Sequence, residues 1–191
     1  MSFEDEFATV ELLKESSAET RGVDAFALSL IKAERQIRKL VTHLVFQFPC
    51  FSGSEVSALK EKLADNRRVY FEGMINGFNA IYPITVEVVV GQQYQTLQSK
   101  ISEAIQHRNK IFHGQLTSRS LSRDDLFSYI DNISEWCRLL ASGAQNEIGY
   151  NGFTRNSFQK SKKNDIHTQF KVSLQSVEDY EAFIRENMQR P

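Results

Sequence analysis

The stretch VDAFALSLIKAERQIRKLVTHLVFQF, residues 23–48, decides the fold class of this chain. Its apolar side chains recur at spacings of three and four residues, at Phe26, Leu30, Ile37, Leu40, Val41 and Leu44. This periodicity predicts one long amphipathic helix, whose apolar face must pack against other elements. Pro49 predicts the end of that helix, because proline has no backbone N–H to donate.

A second helical stretch follows directly. Ser52 with Glu55 three residues later is a capping-box pattern, which predicts a helix start. Residues 67–82, RRVYFEGMINGFNAIY, are rich in apolar side chains and contain no proline before Pro83. We therefore expect this helix to continue as far as Pro83.

Two glycines in this second helix require an explanation. Gly73 and Gly77 lie four residues apart and so share one helix face. Each costs about 1 kcal/mol of helix propensity relative to alanine. A close approach by another helix would explain both glycines, and so would a bend; the sequence does not separate the two. The adjacent Tyr70 and Phe71 are expected in the core.

Helical periodicity returns between Gln92 and Phe112. One apolar stripe contains Tyr94, Leu97, Ile101, Ile105 and Phe112. Gly114 is a natural helix stop at its C-terminal end. The preceding ITVEVVV, residues 84–90, is β-branched and could be extended or helical, so its conformation stays open.

The fourth helix is predicted from Ser122, which with Asp125 forms another capping pattern. Its inward-facing side chains are expected to be Leu126, Ile130, Ile133, Trp136, Cys137 and Leu140. Four helices within residues 23–148, joined by short polar connections, predict an all-α fold arranged as an antiparallel four-helix bundle.

The chain changes character after Gly149. Residues 150–175 are polar and aromatic, and their KSKKND centre, residues 160–165, is typical of a β-hairpin turn. Ser176 with Asp179 then predicts a short terminal helix. We therefore divide the chain into a helical domain, residues 1–149, and an appendage of hairpin and helix, residues 150–191.

The appendage is locally basic, although the chain has a net charge of -1. Between residues 150 and 172 five basic residues and one acidic residue leave a charge of +4. Lys160, Lys162 and Lys163 are candidate RNA-binding residues, whose contacts with phosphates would weaken as salt rises. The alternative is a solvated surface.

Composition excludes several classes of protein. With 41% hydrophobic residues among 191, the chain can bury an ordinary core. No apolar run approaches membrane-spanning length, and the acidic start lacks the features of a signal peptide. Cys50 and Cys137 are expected as reduced thiols. These features predict a cytoplasmic protein that does not contact membranes, and no spacing suggests a metal or a cofactor.

The candidate site is HRNKIFHGQ, residues 107–115. On a helical wheel Arg108 projects from the middle of the apolar stripe, flanked by Asn109 and His113. A buried guanidinium must be paired or must face another molecule. Arg108 could therefore pair with an internal carboxylate, reach out to solvent, or serve a ligand. His113 could simply be a helix-end histidine that is stabilised by the helix dipole. His107 is expected to be solvated.

Together, Arg108, Asn109 and His113 have the chemistry for cleaving RNA without metal. A histidine can exchange the proton of a ribose 2′-OH near neutral pH. An arginine can neutralise the charge that grows on the phosphorane. An asparagine can hold either the phosphate or the histidine. The same three groups would also suit a phosphate-binding pocket without catalysis.

The stretch RNKIFHGQ, closing a helix of a predicted bundle, resembles the HEPN superfamily (higher eukaryotes and prokaryotes nucleotide-binding). That family's motif is an arginine, often followed by asparagine, with a histidine a few residues later. Arg108, Asn109 and His113 match it, and the resemblance covers residues 23–148. The HGQ followed by a helix start is similar to members from bacterial toxin and phage-defence systems.

The resemblance implies a homodimer whose two motifs face each other across a cleft. Many members are metal-independent endoribonucleases that leave a 2′,3′-cyclic phosphate and a 5′-hydroxyl; others are inactive binding modules. It assigns His113 as general acid and base, Arg108 as phosphate ligand and Asn109 as orienting group. An antitoxin or another regulatory protein is an expected partner. Members that pair with nucleotidyltransferase antitoxins carry a modified tyrosine where this chain has Gln115, so that form of control is not implied.

Overall fold

The computed structural model describes residues 2–66, 68–113, 121–154, 156–163 and 165–189. Within these ranges the chain forms α-helices and no strand, so the predicted all-α class is confirmed. The helices are α1 (Phe3–Glu15), α2 (Arg21–Phe46), α3 (Val56–Ala64), α4 (Phe71–Ile81), α5 (Val86–Val90), α6 (Tyr94–Phe112), α7 (Arg123–Ile148) and α8 (Val177–Asn187).

The two longest helices, α2 and α7, pack along each other at the centre of the molecule. Helices α1 and α4 pack against α2, whereas α5 and α6 pack against α7. The predicted apolar faces of α2 and α7 are confirmed, since every residue named for them is buried. Trp136 of α7 is completely buried and is the largest such side chain.

The predicted helix starts are confirmed by their caps. Ser52 caps a short 3-10 helix, Gly53–Glu55, that leads into α3, and Ser122 caps α7. In both, the serine side chain accepts from a backbone N–H of the first turn, and a Glu or Asp three residues later accepts from the serine N–H. The Ser176 hydroxyl accepts from the backbone N–H of Asp179 at the start of α8. These caps use only neighbouring residues, which is why the sequence shows them.

The expectation of one helix from Ser52 to Pro83 is wrong. Helix α3 ends at Ala64 and α4 begins at Phe71. Between them Val69 pairs with Gln189 in an antiparallel β-bridge, and the Gln189 side chain donates to the Asn66 side chain at 2.9 Å. This distant pairing fixes Val69, and Tyr70 after it has an extended backbone.

The two glycines of α4 allow a close approach. A Cβ at Gly73 would overlap the carbonyl oxygen of Met188, the residue that ends α8. A Cβ at Gly77 would lie 2.9 Å from the Met188 Sδ. Helix α4 runs without interruption through both positions. Close packing, rather than a bend, therefore explains the glycines.

The β-branched stretch that the sequence left open forms the short helix α5. Thr85 caps it by accepting from the backbone N–H of Val88, and the Asn79 side chain accepts from Val86 N–H at 2.8 Å. Gly143 of α7 allows the backbone at Val89 to come close, since a Cβ there would overlap the Val89 carbonyl oxygen. Packing on α7 thus overrides the local β propensity.

The predicted β-hairpin is not observed, because the described residues of 150–175 contain no strand. Instead, side chains of α2 and of Gln47, the residue directly after it, bond to the backbone of this segment. Gln36 donates to Asn151 O at 3.1 Å, His43 Nδ1 donates to Ser157 O at 3.2 Å, and Gln47 donates to Gln159 O at 3.1 Å. We call Gln36, His43 and Gln47 the α2 ladder. It satisfies the backbone polar groups that a partner strand would otherwise satisfy.

Candidate functional site

The face of α6 that packs on the core differs from the face that its apolar stripe predicted. Leu97, Ile101 and Ala104 are buried, whereas Ile105 is half-buried and Phe112 is 61% exposed. The buried face is thus rotated by about 60° from the predicted one on a 100° wheel. The two faces differ because the small Ala104 is buried in the core, whereas the large Phe112 lies at the helix end, outside the core.

His107 is buried, which contradicts the expected solvated position. Its ring lies 5.5 Å from the Tyr129 ring, and its Nε2 lies 3.7 Å from Glu103 Oε1. A hydrogen bond from Tyr129, helped by Lys100, holds the pKa of Glu103 below its ordinary value. His107 therefore belongs to the packing between α6 and α7.

Arg108 pairs with an internal carboxylate, one of the alternatives that the sequence left open. Its Nη1 lies 2.8 Å from Glu34 Oε1 of α2, and its Nε donates to Asn109 Oδ1 at 3.2 Å. The Arg108 side chain is 17% exposed and that of Glu34 is 32% exposed. The guanidinium is thus held at the edge of the core, and two of its N–H groups are engaged.

Asn109 and His113 are both exposed. His113 ends α6, where its backbone N–H donates to the carbonyl of Asn109 at 3.1 Å. The side chains of Arg108, Asn109 and His113 line one pocket of about 470 Å³. The structure therefore brings the three predicted residues together. Gly114, the predicted helix stop, and Gln115 lie outside the described residues.

The pocket has walls that the sequence did not indicate. Phe71 and Ile105 supply apolar surface, and Glu72 adds a carboxylate. Tyr70 also lines the pocket and is 50% exposed, so its expected core position is wrong. A smaller pocket of about 170 Å³ shares Tyr70 with the first and is also lined by Arg38.

The sequence did not indicate that Glu34, Arg38 and Tyr70 line these pockets. Glu34 and Arg38 are four residues apart on α2, so a shared face was predictable. Their proximity to Arg108 was not, because 74 residues separate Glu34 from Arg108.

The three candidate RNA-binding lysines lie in different environments. Lys160 Nζ donates to the carbonyls of Phe46 and Phe48, at 2.6 and 2.9 Å, at the end of α2. Lys163 Nζ donates to the carbonyls of Asn146 and Glu147 near the end of α7. Helix C-termini carry partial negative charge, so both ammonium groups act as helix caps. Lys162 is exposed. None of the three lines the pocket of Arg108.

The described residues contain no cluster of three or more His, Cys, Asp or Glu side chains that could hold a metal ion. None of the helices described is both long and apolar enough to cross a membrane. Cys50 and Cys137 are free thiols.

No family model, curated protein or solved structure matches this chain. The features of the chain that point to a function are the motif and the pocket that contains it.

Proposed function

We propose that the chain is a metal-independent endoribonuclease of the HEPN type, acting in the cytoplasm as a toxin or phage-defence effector. The observation that supports this proposal is the single pocket at the end of α6, which contains Arg108, Asn109 and His113. In the proposed fold α2, α4, α6 and α7 form the HEPN-like bundle within residues 1–149. Residues 150–191 form an extension of it, and the α2 ladder attaches that extension through its backbone.

The proposed reaction is attack by a ribose 2′-oxygen on the adjacent phosphorus. His113 takes the 2′-OH proton, the 2′-oxygen bonds to phosphorus, and the bond from phosphorus to the 5′-oxygen breaks. The leaving 5′-oxygen receives a proton from an imidazolium, which in the proposed homodimer is His113 of the second copy. The products are a 2′,3′-cyclic phosphate and a 5′-hydroxyl.

Arg108 supplies the positive charge for the proposed transition state. Glu34 and Asn109 fix the guanidinium by taking one N–H each, and the remaining N–H donors serve the phosphate. A guanidinium whose orientation is already fixed loses less entropy when it binds the phosphorane. In this proposal Glu34 is a positioning residue.

The decisive experiment is RNA cleavage by the purified protein in EDTA. Replacing the general base His113→Ala should slow cleavage by about 10²- to 10⁴-fold. Arg108→Ala should slow it by about 10²- to 10³-fold, as for other groups that stabilise a developing oxyanion. The control is His167→Ala, a half-buried histidine that does not line the pocket. Cleavage by both pocket variants at the wild-type rate, or strict dependence on a divalent metal, would contradict the mechanism.

The Arg108–Glu34 ion pair favours a second candidate, a non-catalytic module. An arginine whose charge is balanced within the molecule serves binding or packing without any reaction. An RNA- or nucleotide-binding module should bind RNA without product, and His113→Ala should leave its affinity nearly unchanged. In a protein-interaction module, Arg108→Ala should shift the oligomeric state and RNA should have no effect.

The proposed homodimer, and the proposed antitoxin or regulatory partner, each need a separate measurement. Light scattering at micromolar concentration should give the mass of a dimer; a monomer would remove the composite cleft. Co-purification with the products of neighbouring genes tests for a restraining partner.

A further inference from the structure

Tyr70 is presented to solvent by a backbone that is anchored on both sides. Residues 69 and 71 are buried, with Val69 9% exposed and Phe71 5% exposed, whereas Tyr70 between them is 50% exposed. Successive side chains of an extended segment point in opposite directions, which turns Tyr70 outwards. The β-bridge to Gln189 holds Val69, and the Phe71 ring packs 5.3 Å from Trp136. The phenol ring therefore projects from a fixed position.

This ring lies where two pockets meet. Asn109 and His113 line the larger pocket and Arg38 lines the smaller one, whereas Tyr70 and Arg108 line both. Arg38 follows Glu34 by one turn of α2, a rise of about 6 Å. Arg108 lines both pockets, so the smaller pocket offers two guanidinium groups, those of Arg108 and Arg38, beside the Tyr70 ring.

The charged side chains that line the smaller pocket have a net positive charge. Its only carboxylate among the described residues is Glu34, which is engaged by Arg108. The exposed Arg38 forms no hydrogen bond or ion pair with another residue in the described ranges. An accessible guanidinium beside an accessible aromatic ring is the combination that binds one unit of a single-stranded nucleic acid, with the phosphate on the cation and the base on the ring.

We propose that Tyr70 and Arg38 form a subsite for the nucleotide adjacent to the scissile phosphate, with the base stacked on Tyr70 and its phosphate bound by Arg38. This inference rests on the proposed function, since it names the substrate class of that site as single-stranded RNA. Within a double helix both faces of a base are covered by its neighbours, so such a base cannot stack on Tyr70 and the subsite excludes a double helix.

The test uses a short single-stranded RNA with 2′-O-methyl riboses, which binds but cannot be cleaved by 2′-oxygen attack. Fluorescence anisotropy should show that Tyr70→Ala raises Kd by about 5- to 100-fold, the usual effect of losing one stacked base. Tyr70→Phe should keep the wild-type Kd, because the ring remains. A 2-aminopurine base in the RNA should be quenched by wild type and not by Tyr70→Ala.

Arg38 has its own measurement. Arg38→Ala should reduce the slope of log affinity against log salt by about 0.7, as expected for one lost phosphate contact to a single strand. The control Arg138→Ala removes an exposed arginine that pairs with Glu135, outside both pockets, and should leave the slope unchanged.

The outcomes separate this inference from the proposed function. Unchanged Kd in Tyr70→Ala and Arg38→Ala, with wild-type RNA cleavage intact, would overturn the subsite alone. Dependence of Kd on both residues in a protein that does not cleave RNA would support the subsite and contradict the nuclease. Equal affinity for single- and double-stranded RNA would overturn the subsite, and so would an absence of RNA binding. Thermal melts of both variants are the control for folding and should show cooperative unfolding.

Discussion

His43 is a neutral histidine buried within the α2 ladder. Its ring stacks on Tyr150 at 4.5 Å, and 3% of the residue is exposed. Burial lowers the pKa of His43 from 6.5 to about 4, against the opposing effect of its hydrogen bond to the Ser157 carbonyl. At neutral pH the imidazole is therefore uncharged and its Nδ1–H is a donor.

This residue makes the stability of the fold sensitive to acid. The unfolded chain takes up the His43 proton at a higher pH than the folded chain does, so stability is lost as pH falls from about 6.5 toward 4. Between about pH 7 and about pH 5 the loss should be about 2 kcal/mol. Urea denaturation should show this slope in wild type, and His43→Gln should reduce it, because glutamine keeps a donor without titrating. An equal slope in both proteins would contradict the assignment.

At the scale of elements, the meeting of α4 with the end of α8 leaves no room for a side chain. Gly73→Ala gains helix propensity of about 1 kcal/mol. It also forces a methyl group against the backbone at Met188, which costs about 1–3 kcal/mol and separates the elements. We expect a net loss of unfolding free energy in urea titrations. Gly53→Ala is the matched control, because its Cβ would meet nothing within 4 Å; a Gly73→Ala protein as stable as that control would contradict the close approach.

Lys160 and Lys163 connect the segment after α7 to the C-terminal ends of α2 and α7. Lys160→Met removes two bonds to carbonyls at the end of α2, and we expect it to lower the unfolding free energy by about 1–2 kcal/mol. Lys162→Met, the adjacent exposed position, should leave stability unchanged. Urea denaturation of the two variants gives the comparison. Equal stability of the two would show that the caps contribute nothing measurable.

At the scale of the whole molecule, residues 150–191 complete the core rather than hang from it. They contribute buried apolar side chains, among them Tyr150, Phe153, Ile166, Leu174, Tyr180, Phe183, Ile184 and Met188. Without these residues the α2 ladder also loses its hydrogen bonds to Asn151, Ser157 and Gln159, and lost bonds of buried polar groups are costly. The boundary at residue 149 is therefore a change in composition and not a break in packing.

Truncation tests this directly. Removing residues 150–191 exposes apolar surface and the α2 ladder. A chain ending at Gly149 should therefore lose cooperative thermal unfolding and should bind a hydrophobic dye. Circular dichroism melts and dye fluorescence are the measurements. A truncated chain that melts cooperatively at the wild-type temperature would show that residues 1–149 fold alone.

The sequence by itself determined the central helices α2 and α7, their buried faces, and the serine caps at Ser52, Ser122 and Ser176. These features depend on residues within a few positions of one another, and periodicity and capping patterns record such local interactions. It also placed Arg108, Asn109 and His113 on the same end of α6, where the structure has them lining one pocket.

Only the tertiary structure decided the rest, because each remaining feature joins residues far apart in the chain. Glu34 forms an ion pair with Arg108, 74 positions later in the chain. The bridge between Val69 and Gln189 fixes the residue that precedes the exposed Tyr70. Residues 150–191 cap and pack against the helices and form no hairpin in the described ranges, because side chains at the end of α2 supply hydrogen-bond partners for their backbone. A pattern in sequence records which side chains are apolar or charged; which of them meet is set by how the helices pack.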